Sequence, residues 1–174
     1  MNRSSFIFSL LAAVALGGCG PFWVDPYITV RESQLNWVEI HYYSMTRKPY
    51  RRIAVYLNGM GHVEVKKGYS DLVSNDFAKR YGDENWDRIE TMRYTVDPKH
   101  LNDIFQHLVN YGVLDREKFG KGSKRERFDR FIAVKANISN YTYSDNVNIF
   151  EADPDLAEVL LDVIREFDTP ARVR

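Results

Sequence analysis

The chain has 174 residues with 24 basic and 24 acidic side chains, so its formal charge is zero and no field strong enough to collect nucleic acid is expected. Hydrophobic residues make up 44% and charged ones 28%, the balance of one globular domain with a sizeable core. A single cysteine excludes an internal disulfide, so packing alone must hold the fold.

The amino-terminal stretch comes first. One cation, Arg3, precedes an apolar run from Phe6 to Leu16 broken only by Ser9. A membrane-spanning helix needs about 20 apolar residues, so this run suits a secretory signal peptide instead. Gly17 and Gly18 then precede the only cysteine, Cys19. Leu16-Gly17-Gly18-Cys19 resembles the lipobox of bacterial lipoproteins. That resemblance implies removal of residues 1–18, a thioether-linked diacylglycerol on Cys19, and acylation of the new amino terminus, with palmitate as the usual chain. At about 0.8 kcal/mol per buried CH₂, one acyl chain holds a protein to a membrane only marginally, whereas two or three make release negligible. Gly20, where an inner-membrane sorting signal has Asp, implies outer-membrane attachment facing the periplasm if the host is Gram-negative. The plain alternative for Cys19 is an ordinary thiol at the end of an uncleaved or ordinarily cleaved leader, or at the end of a short membrane anchor. No second apolar run approaches transmembrane length.

Residues 19–33 read as a lipidated tether, with two prolines and mixed polar residues. Its rings Phe22, Trp23 and Tyr27 suit either the headgroup interface, which favours amphipathic aromatics, or packing on the domain. Residues 34–170 read as a single domain. Trp37 to Tyr43 alternates, with Val38, Ile40 and Tyr42 on one face and Trp37, Glu39, His41 and Tyr43 on the other, which predicts a strand. Arg52 to Lys67 predicts a β-hairpin turning at Asn58-Gly59 and ended by Gly68. Tyr69 to Asn85 carries no clear period, and Trp86 to Val96 reads as extended.

Asp97-Pro98 is a helix start: a carboxylate to cap free amides, then a proline where the missing donor costs nothing. Leu101, Ile104, Phe105 and Leu108 form an apolar stripe, and Gly112 suits the carboxy-terminal cap. Asp115 to Arg130 is densely charged and reads as a long exposed loop. Phe131 to Ile138 alternates again, and Tyr141 to Phe150 is expected to hold its hairpin partner, with a turn at Asp145-Asn146. Asp153-Pro154 repeats the start device ahead of Leu156, Val159, Leu160, Val163, Ile164 and Phe167, and Thr169-Pro170 stops that helix.

The fold class that follows is α+β, an antiparallel sheet of about five to six strands with two amphipathic helices on one face. The hairpin from Tyr56-Leu57-Asn58-Gly59 to Val63-Glu64-Val65, with Gly68 after it, is similar in spacing to uncharacterised small domains of bacterial secreted proteins and lipoproteins. That resemblance brings no catalytic residues with it.

Signatures of known chemistry are missing from the sequence. Of His41, His62, His100 and His107, the last two are seven apart and so share roughly one helix face, but no acidic or cysteine residue completes a metal spacing, and Asp83, Glu84 and Asp87 lack calcium-loop spacing. Neither a nucleophile elbow nor a phosphate-binding glycine loop occurs. No metal, cofactor or catalytic residue is therefore assigned. The glycosylation-like triplets at Asn137 and Asn140 read as chance beside a bacterial leader. Lys118, Lys121, Lys124, Arg125 and Arg127 suit either a solvated loop or contact with anionic envelope groups. Trp37, Tyr43, Tyr56, Tyr141 and Tyr143 are expected on or near the sheet face opposite the aliphatic one, as an aromatic platform or as a second packed layer.

The expectation is a membrane-anchored envelope lipoprotein, held through Cys19, whose domain binds an envelope protein or glycan without catalysing a reaction. The candidate binding surface is Trp37, Tyr43 and Tyr56 with Lys121, Lys124 and Arg125. An envelope hydrolase with an unrecognised site is the alternative.

Overall fold

The computed structural model describes residues 28–44, 47–70, 86–119, 130–148 and 152–168. The leader, Cys19, the tether rings, Asp83, Glu84, Lys121, Lys124, Arg125, Arg127 and Thr169-Pro170 lie outside the described residues. The described residues form six strands and two α-helices: β1 (Trp37–Ser44), β2 (Tyr50–Asn58), β3 (His62–Ser70), β4 (Asp87–Thr95), α1 (Pro98–Asn110), β5 (Arg130–Ile138), β6 (Tyr141–Asn148) and α2 (Pro154–Asp168), with a short 3-10 helix at Arg116–Phe119. All strands join one antiparallel sheet in the order β4-β3-β2-β1-β5-β6. The first four make a meander. The chain then crosses by way of α1 to the free side of β1, where β5 and β6 complete the sheet.

Register decides the faces. Ile40 pairs with Val55 and Val134, and Val55 with Val65, so the aliphatic positions of neighbouring strands stack on one side. Leu101, Phe105 and Leu108 of α1 join Leu156, Leu160 and Phe167 of α2 over those strands in a single buried cluster. Both helices therefore cover the same face, as the stripes required.

The Asp-Pro starts work as read. Asp97 Oδ1 accepts from Lys99 N at 3.0 Å, and Asp153 Oδ1 accepts from Asp155 N at 3.2 Å. At the far end of α1, Gly112 at φ +88 lets Gly112 N reach Val109 O and Val113 N reach Leu108 O. That is the paired-bond helix stop that only a left-handed residue supports.

Several local readings change. The β2–β3 turn has its positive φ at Gly61, not Gly59, with Gly61 N bonded to Asn58 O at 3.1 Å and Asn58 Oδ1 accepting from Met60 N and His62 N. Gly59 is required for a different reason, since a Cβ there would lie 1.8 Å from Ser33 O. The β5–β6 hairpin turns at Ser139-Asn140, φ 52 and 69, while Asp145 and Asn146 sit inside β6 opposite Val134 and Ala133. Two consecutive positive φ values match the twist of the flanking strands, which a turn at Asp145-Asn146 would have left unpaired. Gly68 does not end β3 but marks a register shift within it. The charged stretch begins as an ordered turn with Phe119 buried, Lys118 paired to Asp153 at 2.8 Å, and Lys118 O accepting from Asp153 N. Within the stretch read as tether, Val30 is buried and Gln106 of α1 bonds both Val30 N and Ile28 O.

Candidate functional site

The face of the sheet away from the helices is organised in cross-strand rows. Lys135, Glu39, Tyr56, Glu64 and Arg93 form one, and Ala133, His41, Ala54, Lys66 and Thr91 form the next. In the third, Phe131, Tyr43 and Arg52 lead to Gly68. Gly68 is where Trp86 crosses the sheet: a Cβ at 68 would meet the Trp86 ring at 3.1 Å and Asp87 O at 2.9 Å. Its missing side chain is the space the indole occupies.

Beneath the indole lies Arg52, whose residue is 0% exposed. Its guanidinium carbon is 3.8 Å from the Trp86 ring centre and 4.8 Å from that of Tyr43. A cation removed from water is held by ring faces, which carry negative charge density. Tyr43 is only 5% exposed as a result, so it is packing and not platform.

Beside this stack the sheet is dished. Ala54 forms a low floor, and Glu39, His41, Tyr56, Glu64, Lys66 and Trp86 form the walls of a depression of about 150 Å³. Trp37 stacks against Tyr56 at the rim, ring centres 6.3 Å apart and planes 29° apart. Both rings are half-buried. The dish holds the volume of only a few waters at about 30 Å³ each, below the several hundred Å³ of a small-molecule pocket.

His41 Nε2 lies 2.5 Å from Glu39 Oε1. Taken alone, that contact favours a charged ring. Burial nevertheless holds the imidazole below its ordinary value, against the hydrogen bond and charge of Glu39, and Arg52 and Lys135 add to the fall. The ring is therefore neutral near pH 7 and donates Nε2–H to the carboxylate. The same hydrogen bond keeps Glu39 below the usual carboxylate range, burial opposing it and the charges of Lys135 and Lys66 assisting. Glu64 is shared between Arg93 Nε at 2.5 Å and Lys66 Nζ at 3.6 Å.

Among the named candidates, the structure brings Trp37 and Tyr56 together and removes Tyr43. Tyr141 does not belong to this face: it pairs in register with Ile138, which belongs to the aliphatic side, and the side chain of Tyr143 lies outside the described ones. His100 bonds Glu166 between the two helices, and His107 packs on Tyr111. Among the described residues no group of three or more potential metal ligands gathers, and no helix is long and apolar enough to cross a membrane.

No protein-family model matches the chain, and no curated protein matches it. The site is therefore read from its own geometry. Arg52, Trp86, Ala54 and the Glu39–His41 pair were not singled out from sequence. The available signal was the alternation that set Glu39 and His41 opposite the aliphatic residues; the approach of Trp86 has none, because it is a meeting of residues far apart in the chain.

Proposed function

We propose that the chain is a membrane-anchored lipoprotein of a bacterial cell envelope, held by lipid on Cys19, whose open sheet face binds an envelope protein or glycan. The anchor rests on the lipobox-like Leu16-Gly17-Gly18-Cys19. The binding reading rests on one observation, the small dish rimmed by the stacked Trp37–Tyr56 pair and floored by Ala54. Rings at a rim can stack on a sugar or clasp a side chain, and the neighbouring carboxylates and cations select polarity. In this reading Lys121, Lys124 and Arg125 would steer an anionic partner at low salt.

Two measurements test it. Cys19→Ser should block processing and release the protein from membranes; a variant that matures to the same size and still sediments with membranes overturns the anchor. Photocrosslinking from position 64 in native envelopes should trap a discrete partner, lost in a Trp37→Ala/Tyr56→Ala double variant that still unfolds cooperatively. Unchanged crosslinking in that variant overturns the binding face.

A second reading, an envelope hydrolase, draws on the Glu39–His41 contact at the dish, because a neutral imidazole beside a carboxylate is a pairing general-base catalysis uses. Turnover of envelope peptide or glycan fragments that vanishes in His41→Gln would carry it.

A further inference from the structure

One end of the sheet gathers the start of β1, the β2–β3 turn, the end of β4 and the β5–β6 turn, since Trp37 pairs with Asn58 and Asn137, His62 with Thr95, and Ile138 with Tyr141. These loops are bonded into one platform. Gly59 N donates to Asn36 O at 2.8 Å, Ser139 N to Asn36 Oδ1 at 2.9 Å, and Asn137 Nδ2 to Leu35 O at 3.0 Å.

From this rigid end project large apolar side chains that the fold leaves uncovered. Leu35 is 67% exposed, Met60 51% and Tyr141 42%. They are the three most exposed large apolar side chains among the described residues. Each sits on or beside a turn, so together they form separate tips and not a flat patch for a flat partner.

The amino-terminal segment enters at the same end. Ile28, Thr29 and Ser33 line one cleft with Ser139, Asn140 and Tyr141, so the described chain begins beside the Tyr141 tip. Ile28 is nine positions after Cys19. Fully extended, that length reaches at most about 30 Å.

We infer that this end of the domain rests on the bilayer, with Leu35, Met60 and Tyr141 entering the headgroup region. The inference depends on the lipid anchor proposed above and adds an orientation to it. Three side chains would bind a free protein to lipid only weakly. A short tether changes that, because it holds the tips at an effective concentration on the order of millimolar beside the surface. Leu and Met supply apolar area, and Tyr is a ring suited to the interface. The strands then rise from the membrane, and the dish faces sideways, accessible to a neighbour in the same leaflet.

The test uses the lipidated chain in vesicles of phosphatidylethanolamine and phosphatidylglycerol. Lipidation consumes Cys19, the only cysteine, so Leu35→Cys, Met60→Cys and Ile89→Cys each offer one free thiol for an environment-sensitive fluorophore. Ile89 is an exposed apolar control near the opposite end of the sheet, close to the Tyr69↔Asp87 pair. Labels at 35 and 60 should shift their emission to the blue and lose quenching by aqueous iodide on vesicles, while the label at 89 stays in water. If the protein floats with vesicles and all three labels stay in water, the orientation is wrong and the anchor stands. If the protein does not float with vesicles, the anchor reading fails and this inference with it. If the shift at 35 and 60 instead follows protein concentration without vesicles, the tips meet a second copy and the lipid assignment is overturned.

Discussion

The guanidinium carbon of Arg52 lies 3.8 Å from the centre of the Trp86 ring, sealing a buried cation on the face of the sheet that the helices leave open. The open face is consequently two things at once. Its third row is a second packed layer, and its first two rows are a dished, charged surface. The sequence posed a second packed layer and an aromatic platform as alternatives.

Removing the seal should be costly. Trp86→Ala takes away a buried indole and uncovers Arg52, and is expected to destabilise by about 3 to 5 kcal/mol in urea denaturation. Trp86→Leu keeps apolar cover and loses the ring face, which isolates a cation–ring contribution of about 2 kcal/mol at a desolvated site. Wild-type stability in Trp86→Leu would show that the ring acts only by filling space.

Acid should weaken the fold in two steps. His41 is held below its ordinary value of 6.5, so just below that pH the unfolded chain takes up a proton that the folded chain refuses. Its contribution is complete above pH 6.5 and is lost as pH falls from there towards the folded value. Glu39 and Asp153 are both held low, and theirs is lost at more acid pH, as pH falls through the carboxylate range. Melting temperature should be level above pH 6.5 and fall as pH drops below that value, and His41→Gln should flatten the onset of that fall. A wild-type curve that stays flat through that onset would contradict a neutral His41.

The shared core under the helices is open to truncation. Leu160 is 0% exposed on α2 and Ile104 8% exposed on α1. Each change to Ala should cost about 2 to 5 kcal/mol, with Leu160→Ala the more severe. Losses below about 0.5 kcal/mol at both positions, the range of surface changes, are incompatible with helices packed on the sheet.

Gly59→Ala tests close approach without any demand on φ. The added methyl would stand 1.8 Å from the backbone oxygen of Ser33, which a rotamer change cannot relieve. A destabilisation of about 1 to 3 kcal/mol is expected from forced overpacking. Because Ser33 belongs to the segment leading into β1, the same variant should raise amide exchange at Ser33 to Asn36; unaltered exchange and stability would show the contact to be absent.

What the residues determined by themselves was local. Alternation at Val38 and Ile40, the stripes from Leu101 to Leu108 and Leu156 to Phe167, and the Asp-Pro starts are short-range features, so six strands in one antiparallel sheet beneath two helices were close to legible. So was Gly112 as a helix stop, since a left-handed residue is needed there whatever surrounds it. Tertiary structure decided the rest. A period of two says which residues share a face but not which strand lies alongside, and β1 finds β5 far along the chain, Ser44 pairing with Arg130 and Trp37 with Asn137. That pairing brings Lys135 next to Glu39, and the meander brings Trp86 over Arg52. Both meetings depend on register set by the hydrophobic face, where a slip of one residue would turn every side chain over. The turn at Ser139-Asn140 shows the same limit: Asp145-Asn146 has the better turn chemistry, but pairing β6 along the full length of β5 outweighs it.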